Sequence, residues 1–195
     1  TASDRDAIST KVQAMQLEEG STPGRPAPLA DLNATVAATR AAMDQLDQAW
    51  SAASRSGQPL AVMVIDIDHF KHINDSFGHS VGDAVLRDAA ASLRASARRE
   101  DSVCRIGGEE FLVICPNTDL MAALKSAERL RASLEAKRIA IGQAHKTITA
   151  SIGVAVREPA TADIDALVSM ADQALYAAKD SGRNRIYTRQ RPLTQ

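Results

Sequence analysis

The chain has 195 residues, 45% hydrophobic and 24% charged, with only 3% aromatic residues, which is the composition of a soluble globular protein. Its 23 basic residues are balanced by 24 acidic ones, for a formal charge of −1. A non-specific grip on a nucleic-acid backbone needs a basic excess, so no nucleic-acid partner is expected. No apolar run approaches the ~20 residues of a membrane span, so no membrane contact is expected within this chain. There is no signal-peptide pattern and no initiator Met, which reads as a fragment of a cytoplasmic protein. Attachment of a longer protein to a membrane is left open. Cys104 and Cys115 lack metal-type spacing and are expected to be reduced and buried.

In chain order, Ile8, Val12 and Met15 recur at helical spacing, and then Gly20 to Pro28 places three Pro and two Gly in nine positions. Residues 1–28 thus read as a helical segment and a linker. Residues 29–57 are Ala-rich without Pro or internal Gly, and predict a helix. Leu29, Val36, Met43 and Trp50 fall seven apart, with Leu32 and Leu46 interleaved beside the weaker Thr39 and Ala53. That spacing reads equally as a dimerising coiled-coil seam or as a helix packed on its own domain.

A different texture runs over residues 58–190. Leu60–Ile65 is an apolar run of strand length ending in Asp66-Ile-Asp68. Residues 69–78 and 80–97 read as helices. Ser102–Ile106 and Glu110–Cys115 read as strands joined through Gly107-Gly108. An amphipathic helix follows over 119–138. Ile139–Ile141, a turn near Gly142 and Thr147–Val156 read as a second hairpin. Residues 163–181 read as a helix stopped by Gly182, and Ile186-Tyr187 as a last short strand. The order predicts an α+β fold with a mostly antiparallel five-stranded sheet, and helices of one general face.

Two features carry chemistry: the carboxylates Asp66 and Asp68 where a buried strand runs out, and Gly107-Gly-Glu-Glu-Phe111 at a hairpin tip. Mg²⁺ takes hard oxygen ligands, usually one or two carboxylates plus substrate phosphates. Paired glycines let a backbone approach a nucleotide closely. Taken singly, Asp68 reads as a helix N-cap, Asp83 and Asn74 as helix caps, and the two Glu as a solvated turn.

The stretch from Asp66 through Phe70, Asn74 and Gly78 to Asp83, followed by Arg105-Ile-Gly-Gly-Glu-Glu-Phe111, strongly resembles the GGDEF family of diguanylate cyclases. Thr149–Val154 and Ala171–Asn184 match the family as well. The resemblance covers residues 58–188, with Glu109 in place of the usual third-position Asp. It implies a sheet flanked by helices, like a polymerase palm, and the joining of two GTP into cyclic di-GMP with release of two pyrophosphates. It further implies a homodimer in which each domain holds one GTP.

Carried onto this chain, the resemblance implies that Asp66, the carbonyl of Ile67, and Glu109 hold Mg²⁺ or Mn²⁺. Glu109 is also the candidate proton acceptor, with Glu110 assisting at the metal or ribose edge. Asn74 and Asp83 would read guanine, with His79 and Leu86 lining the pocket. The amides of Phe70 and Lys71, with the Lys179 and Arg183 side chains, would hold the phosphates. Arg98-Arg-Glu-Asp101 matches an inhibitory Arg-x-x-Asp motif, so Arg98, Asp101 and Arg129 would bind the product. The family's Asp-x-Leu-Thr-x-Leu-x-Asn-Arg turn is degenerate here: of it, Asp31–Thr39 keeps only the Asp. The competing functions are a catalytically silent sensor of the dinucleotide and a structural dimerisation segment.

Overall fold

The computed structural model describes residues 29–141 and 144–190; the segment and linker of residues 1–28 and the turn at Gly142 lie outside them. At the centre is β1 (Leu60–Ile67), buried along its entire length. A strand covered on both faces reads as an unbroken apolar run rather than an alternation, and LAVMVIDI is such a run. Its side chains divide by parity. Ala61, Met63, Ile65 and Ile67 join one apolar cluster, while Leu60, Val62 and Val64 join the other.

Each cluster is closed by helices. On the first face lie α2 (Phe70–Phe77), α3 (His79–Ser96) and α4 (Leu120–Ala136), through residues such as Phe70, Val85, Leu93, Ala127 and Leu134. On the second lie α1 (Leu29–Ser56) and α5 (Ile164–Asp180), through Ala42, Leu46, Leu167, Ala171 and Leu175. The expectation of helices on one general face is therefore corrected: a central strand with no polar face leaves neither side for water.

The remaining strands are β2 (Ser102–Arg105), β3 (Glu110–Pro116), β4 (Arg138–Ile141), β5 (Ala144–Thr147), β6 (Ala150–Val156) and β7 (Ile186–Tyr187). The five-stranded sheet has the order β2-β3-β1-β6-β7, antiparallel except for the β6–β7 pair. The anticipated α+β architecture and the Gly107-Gly108 hairpin are present. The second hairpin is not the one expected, since Arg138–Ile141 pairs with Ala144–Thr147 in a sheet of their own. The stretch expected as one strand breaks at Ile148, which turns into the core, and at Thr149, whose carbonyl accepts the Asp68 N–H at 2.9 Å. Only from Ala150 onward does the chain join β1.

Helix α1 packs part of its heptad seam, together with Ala42, on its own domain. Thr39, Ala42, Leu46 and Ala53 are buried, whereas Val36 is exposed. The guanidinium of Arg157, at the end of β6, lies 4.8 Å above the Trp50 ring. Cys115 is buried, but Cys104 is only half-buried, near Gln45 of α1. Among the described residues no helix is long and apolar enough to cross a membrane.

Candidate active site

Backbone register decides which acids meet. The β1–β3 pairing sets Asp66 opposite Glu110, and the Ile67 N–H donates to the Glu109 carbonyl at 3.3 Å. The intervening turn is held from within by Arg105. Its Nε donates to the carbonyls of Gly107 (3.1 Å) and Gly108 (3.0 Å), and its Nη2 to Gly108 at 2.7 Å. Two segments far apart in sequence thus deliver Asp66, the Ile67 backbone and Glu109 to one sheet end.

The electrostatics fit a cation. Asp66 is 6% exposed, and burial raises its carboxyl above the usual carboxylate range, opposed chiefly by the Lys179 ammonium. Glu109 is raised by burial first and by the Asp66 charge second. Lys179 Nζ sits 2.7 Å from Asp66 Oδ2, so a cation is already drawn to this end. Among the described residues no three His, Cys, Asp or Glu side chains form a metal cage. Two carboxylates with a backbone carbonyl suit Mg²⁺ nonetheless, because that ion keeps water and substrate phosphate in its shell. The donor set fits the ion.

Asp68 does not cap α2. The cap position is His69, in left-handed backbone (φ 58°), with no side-chain cap hydrogen bond. The Asp68 carboxylate instead accepts from Thr149 Oγ1, Ser151 Oγ and the Asn184 N–H. The first amides of α2, those of Phe70 and Lys71, therefore begin a helix with no side chain closing its N-terminus. The Phe70 ring is buried in the core, and Lys71 is exposed.

Asn74 and Asp83 stand on neighbouring helices joined at Gly78, whose N–H donates to the Asn74 carbonyl at 2.8 Å. Neither is a cap: α3 starts at His79, a full turn before Asp83. Asn74 Oδ1 is buried without a hydrogen-bond partner and occupies the space a side chain at Gly82 would need. Asp83 and His79 are exposed beside it. Leu86 is buried in the core cluster.

Helix α5 ends by a Schellman arrangement. Arg183 N–H donates to the Ala178 carbonyl and Gly182 N–H to that of Lys179, with Gly182 at φ 111°. This stop sets Lys179 on Asp66 and leaves Arg183 exposed just beyond the helix.

A second cluster lies past α3. Asp101 Oδ2 accepts the Arg98 N–H at 2.9 Å, while the Asp101 N–H donates to the Arg98 carbonyl. A cavity of about 330 Å³ opens there, lined by Arg94, Ala97, Arg98, Arg99, Asp101 and Val103. Arg129 of α4 reaches across to donate to the Ser96 carbonyl at 2.8 Å. Below, burial and the Asp101 carboxylate push the Cys115 thiol upward, while Arg98 and Arg129 oppose that shift. Arg98, Asp101 and Arg129 therefore form one group.

A family model described as "Diguanylate cyclase, GGDEF domain" matches residues 30–185. The chain belongs to this family. It is 44% identical over 144 residues to the response regulator PleD of Caulobacter vibrioides, covering 73% of this chain and 32% of that protein. The domain thus spans about a third of that relative's length. Among solved structures, the active GGEEF domain of a diguanylate cyclase from Vibrio cholerae superposes with a TM-score of 0.70 at 36% identity, covering 74% of this chain and 92% of that one. The GGDEF domain of DgcB from Caulobacter crescentus, in complex with c-di-GMP, gives 0.71 at 34%, covering 76% and 88%.

Within this GGDEF domain, three contacts escaped sequence reasoning. Arg105 stood inside a quoted motif, but nothing in its spacing shows that it braces the turn. Thr39, read as a weak heptad position, donates from Oγ1 to the Ile106 carbonyl at 3.3 Å, beside the signature turn. Asn184 closed a matched motif without any assigned contact. Each is a side chain bonded to backbone or to a distant segment, for which the only available signal is a polar residue at an element boundary.

Proposed function

We propose that this GGDEF domain is a diguanylate cyclase, condensing two GTP into cyclic di-GMP with release of two pyrophosphates. The observation that carries the reading is the convergence of Asp66 and Glu109 at one sheet end, where the Asp66 charge raises the Glu109 carboxyl and Lys179 is held to Asp66. Asp66, the Ile67 carbonyl and Glu109 would hold Mg²⁺ or Mn²⁺ against the triphosphate. When bound, the ion offsets charge at the attacked phosphorus and favours ionisation of the 3′-hydroxyl.

Asp83 accepts from guanine N1–H and the exocyclic N2 amine, and Asn74, with its unpartnered buried oxygen, takes the remaining donor at that edge. Adenine offers no such pair of donors, and a site built on them rejects it by about 10⁴-fold. The Phe70 and Lys71 amides, Lys179 and Arg183 bind the β- and γ-phosphates, so Lys179 leaves Asp66 as the nucleotide enters. Glu109 accepts the 3′-hydroxyl proton, with Glu110 at the ribose edge. Each 3′-oxygen forms a bond to the α-phosphorus of the opposite GTP, and the bond from that phosphorus to pyrophosphate breaks. Two domains are required, since each holds one nucleotide, and the rate rises more than linearly with protein at low concentration. The product binds Arg98, Asp101 and Arg129 and slows its own formation.

The test is incubation with GTP and Mg²⁺ followed by chromatography of the products. Cyclic di-GMP and pyrophosphate in a 1:2 ratio are expected. Binding of cyclic di-GMP with no turnover at any protein concentration identifies a sensor instead.

A further inference from the structure

Asp66 and Asp68 sit two residues apart at the same strand end, yet it is Asp66 that pairs with the Lys179 ammonium. Asp68 is 5% exposed, and its carboxylate takes three donors: Thr149 Oγ1 at 2.8 Å, Ser151 Oγ at 2.7 Å and the Asn184 N–H at 3.0 Å. A carboxylate has about four acceptor sites, so little capacity remains for an ion. The third donor comes from the loop that follows α5.

That loop has unusual backbone. Gly182, Arg183 and Asn184 have φ of 111°, 61° and 45°, three consecutive residues in left-handed conformation. Only the first is glycine. Non-glycine residues stay there when their surroundings over-determine them. Here the surroundings are specific. Asn184 Oδ1 accepts from Arg131 Nη1 at 2.7 Å, and its Nδ2 donates to Glu135 Oε1 at 2.8 Å, both on α4. Arg131 is itself fixed by Glu128 at 2.7 Å and Glu135 at 2.8 Å. Asn184 is thereby held by its backbone to the end of β1 and by its side chain to α4.

We propose that Asp68 and Asn184 form a clamp that holds Arg183 in its left-handed conformation, and so aims the Arg183 guanidinium at the terminal phosphates of the nucleotide. They are positioning residues, since neither touches the nucleotide. The proposal rests on the reading of Arg183 as a phosphate contact.

The experiment is titration of the full chain, with Mg²⁺, by 3′-deoxy-GTP, which lacks the attacking hydroxyl, and by GMP, which lacks the phosphates Arg183 serves. Asp68→Asn and Asn184→Gly are each expected to weaken 3′-deoxy-GTP binding about tenfold, the scale of one charge-assisted hydrogen bond, and to leave GMP binding unchanged. In an Arg183→Ala background neither change weakens 3′-deoxy-GTP binding further. Asn184→Gly keeps a residue that tolerates positive φ and alters a half-buried site, so it carries the test if Asp68→Asn does not fold. Equal weakening of GMP, or full additivity with Arg183→Ala, overturns the clamp. If Arg183→Ala weakens 3′-deoxy-GTP binding and the clamp variants do not, the clamp alone falls. If Arg183→Ala itself changes nothing, the phosphate reading falls and takes the clamp with it.

Discussion

The two polar clusters of this domain are built on opposite principles. At the end of β1, acids are buried where strand register forces them together, and burial raises the free energy of their charged forms, offset in part by Lys179. Around Arg98 and Asp101 the groups are more exposed, lie within four residues of one another, and gain a third member from one helix. The first arrangement stores a demand for positive charge, and the second offers a rim that a ligand can meet without reorganising the sheet. Substitutions at the strand end should therefore change chemistry and stability together, whereas those at the rim should change regulation alone.

The sharpest way to break that contrast is at the acids. Asp66→Asn or Glu109→Gln is expected to lower the turnover of GTP by about 10³-fold or more, the scale of losing a charge-stabilising group at a transition state. Steady-state rates at saturating GTP and Mg²⁺ check this. Retention of more than a tenth of the activity would place the cation elsewhere. Next in size is Asp83→Ala, which should erase about 10²-fold or more of the preference for GTP over ATP while leaving the metal requirement in place. Competition between the two nucleotides measures it.

At the rim, Asp101→Ala should abolish inhibition by cyclic di-GMP and leave the initial rate within about twofold, since the 330 Å³ cavity shares no side chain with the strand end. Progress curves with and without added product separate the two effects. A parallel fall in initial rate would show that the two clusters are not independent.

Stability sharpens the comparison in the other direction. Because burial raises Glu109 and Asp66, the fold binds their protons more tightly than the unfolded chain does. In chelator, the contribution of these two groups to stability is therefore greatest below their ordinary values of 4.5 and 3.8 and is lost as pH rises through the raised ones. Glu109→Gln removes one of these charges, so the metal-free variant should melt above the wild type at pH 7 and lose that advantage in acid. Thermal melts with EDTA across pH 4 to 8 provide the measurement. Asp101→Ala should show no such gain.

The same contrast explains what was legible in the residues. The strand-end acids, the glycine hairpin and the helix stop at Gly182 announce themselves through local chemistry. Membership in the family was therefore readable from motif order alone. Two-sided burial of β1 was also written in its unbroken apolar run, although the expectation of helices on one face set it aside. The break at Ile148 and Thr149 was not readable, because it depends on Asp68, eighty residues upstream, holding Thr149 by two hydrogen bonds. Nor was the true role of Asp68, since an acid before a helix resembles a cap whatever it finally bonds. Local signals specify elements, and long-range polar bonds decide how the elements end.

The smallest expected effect tests how α1 enters this scheme. The buried Thr39 Oγ1 donates to the Ile106 carbonyl of the signature hairpin, long at 3.3 Å, with Ala42 and Leu46 in the same apolar cluster as Ile106. Thr39→Val keeps the shape and removes the donor, which should cost about 1 kcal/mol, or a melting shift of roughly 2–4 °C. If α1 serves only as a lid on the second face, turnover per folded molecule stays unchanged. If it steadies the turn that carries Glu109, turnover falls severalfold while inhibition by cyclic di-GMP keeps its midpoint, because the bond touches the strand end and not the rim. The second outcome is expected, since Ile106 immediately precedes the two glycines whose carbonyls Arg105 holds, so a shift of its carbonyl is transmitted to Glu109 through a turn already fixed at its other side.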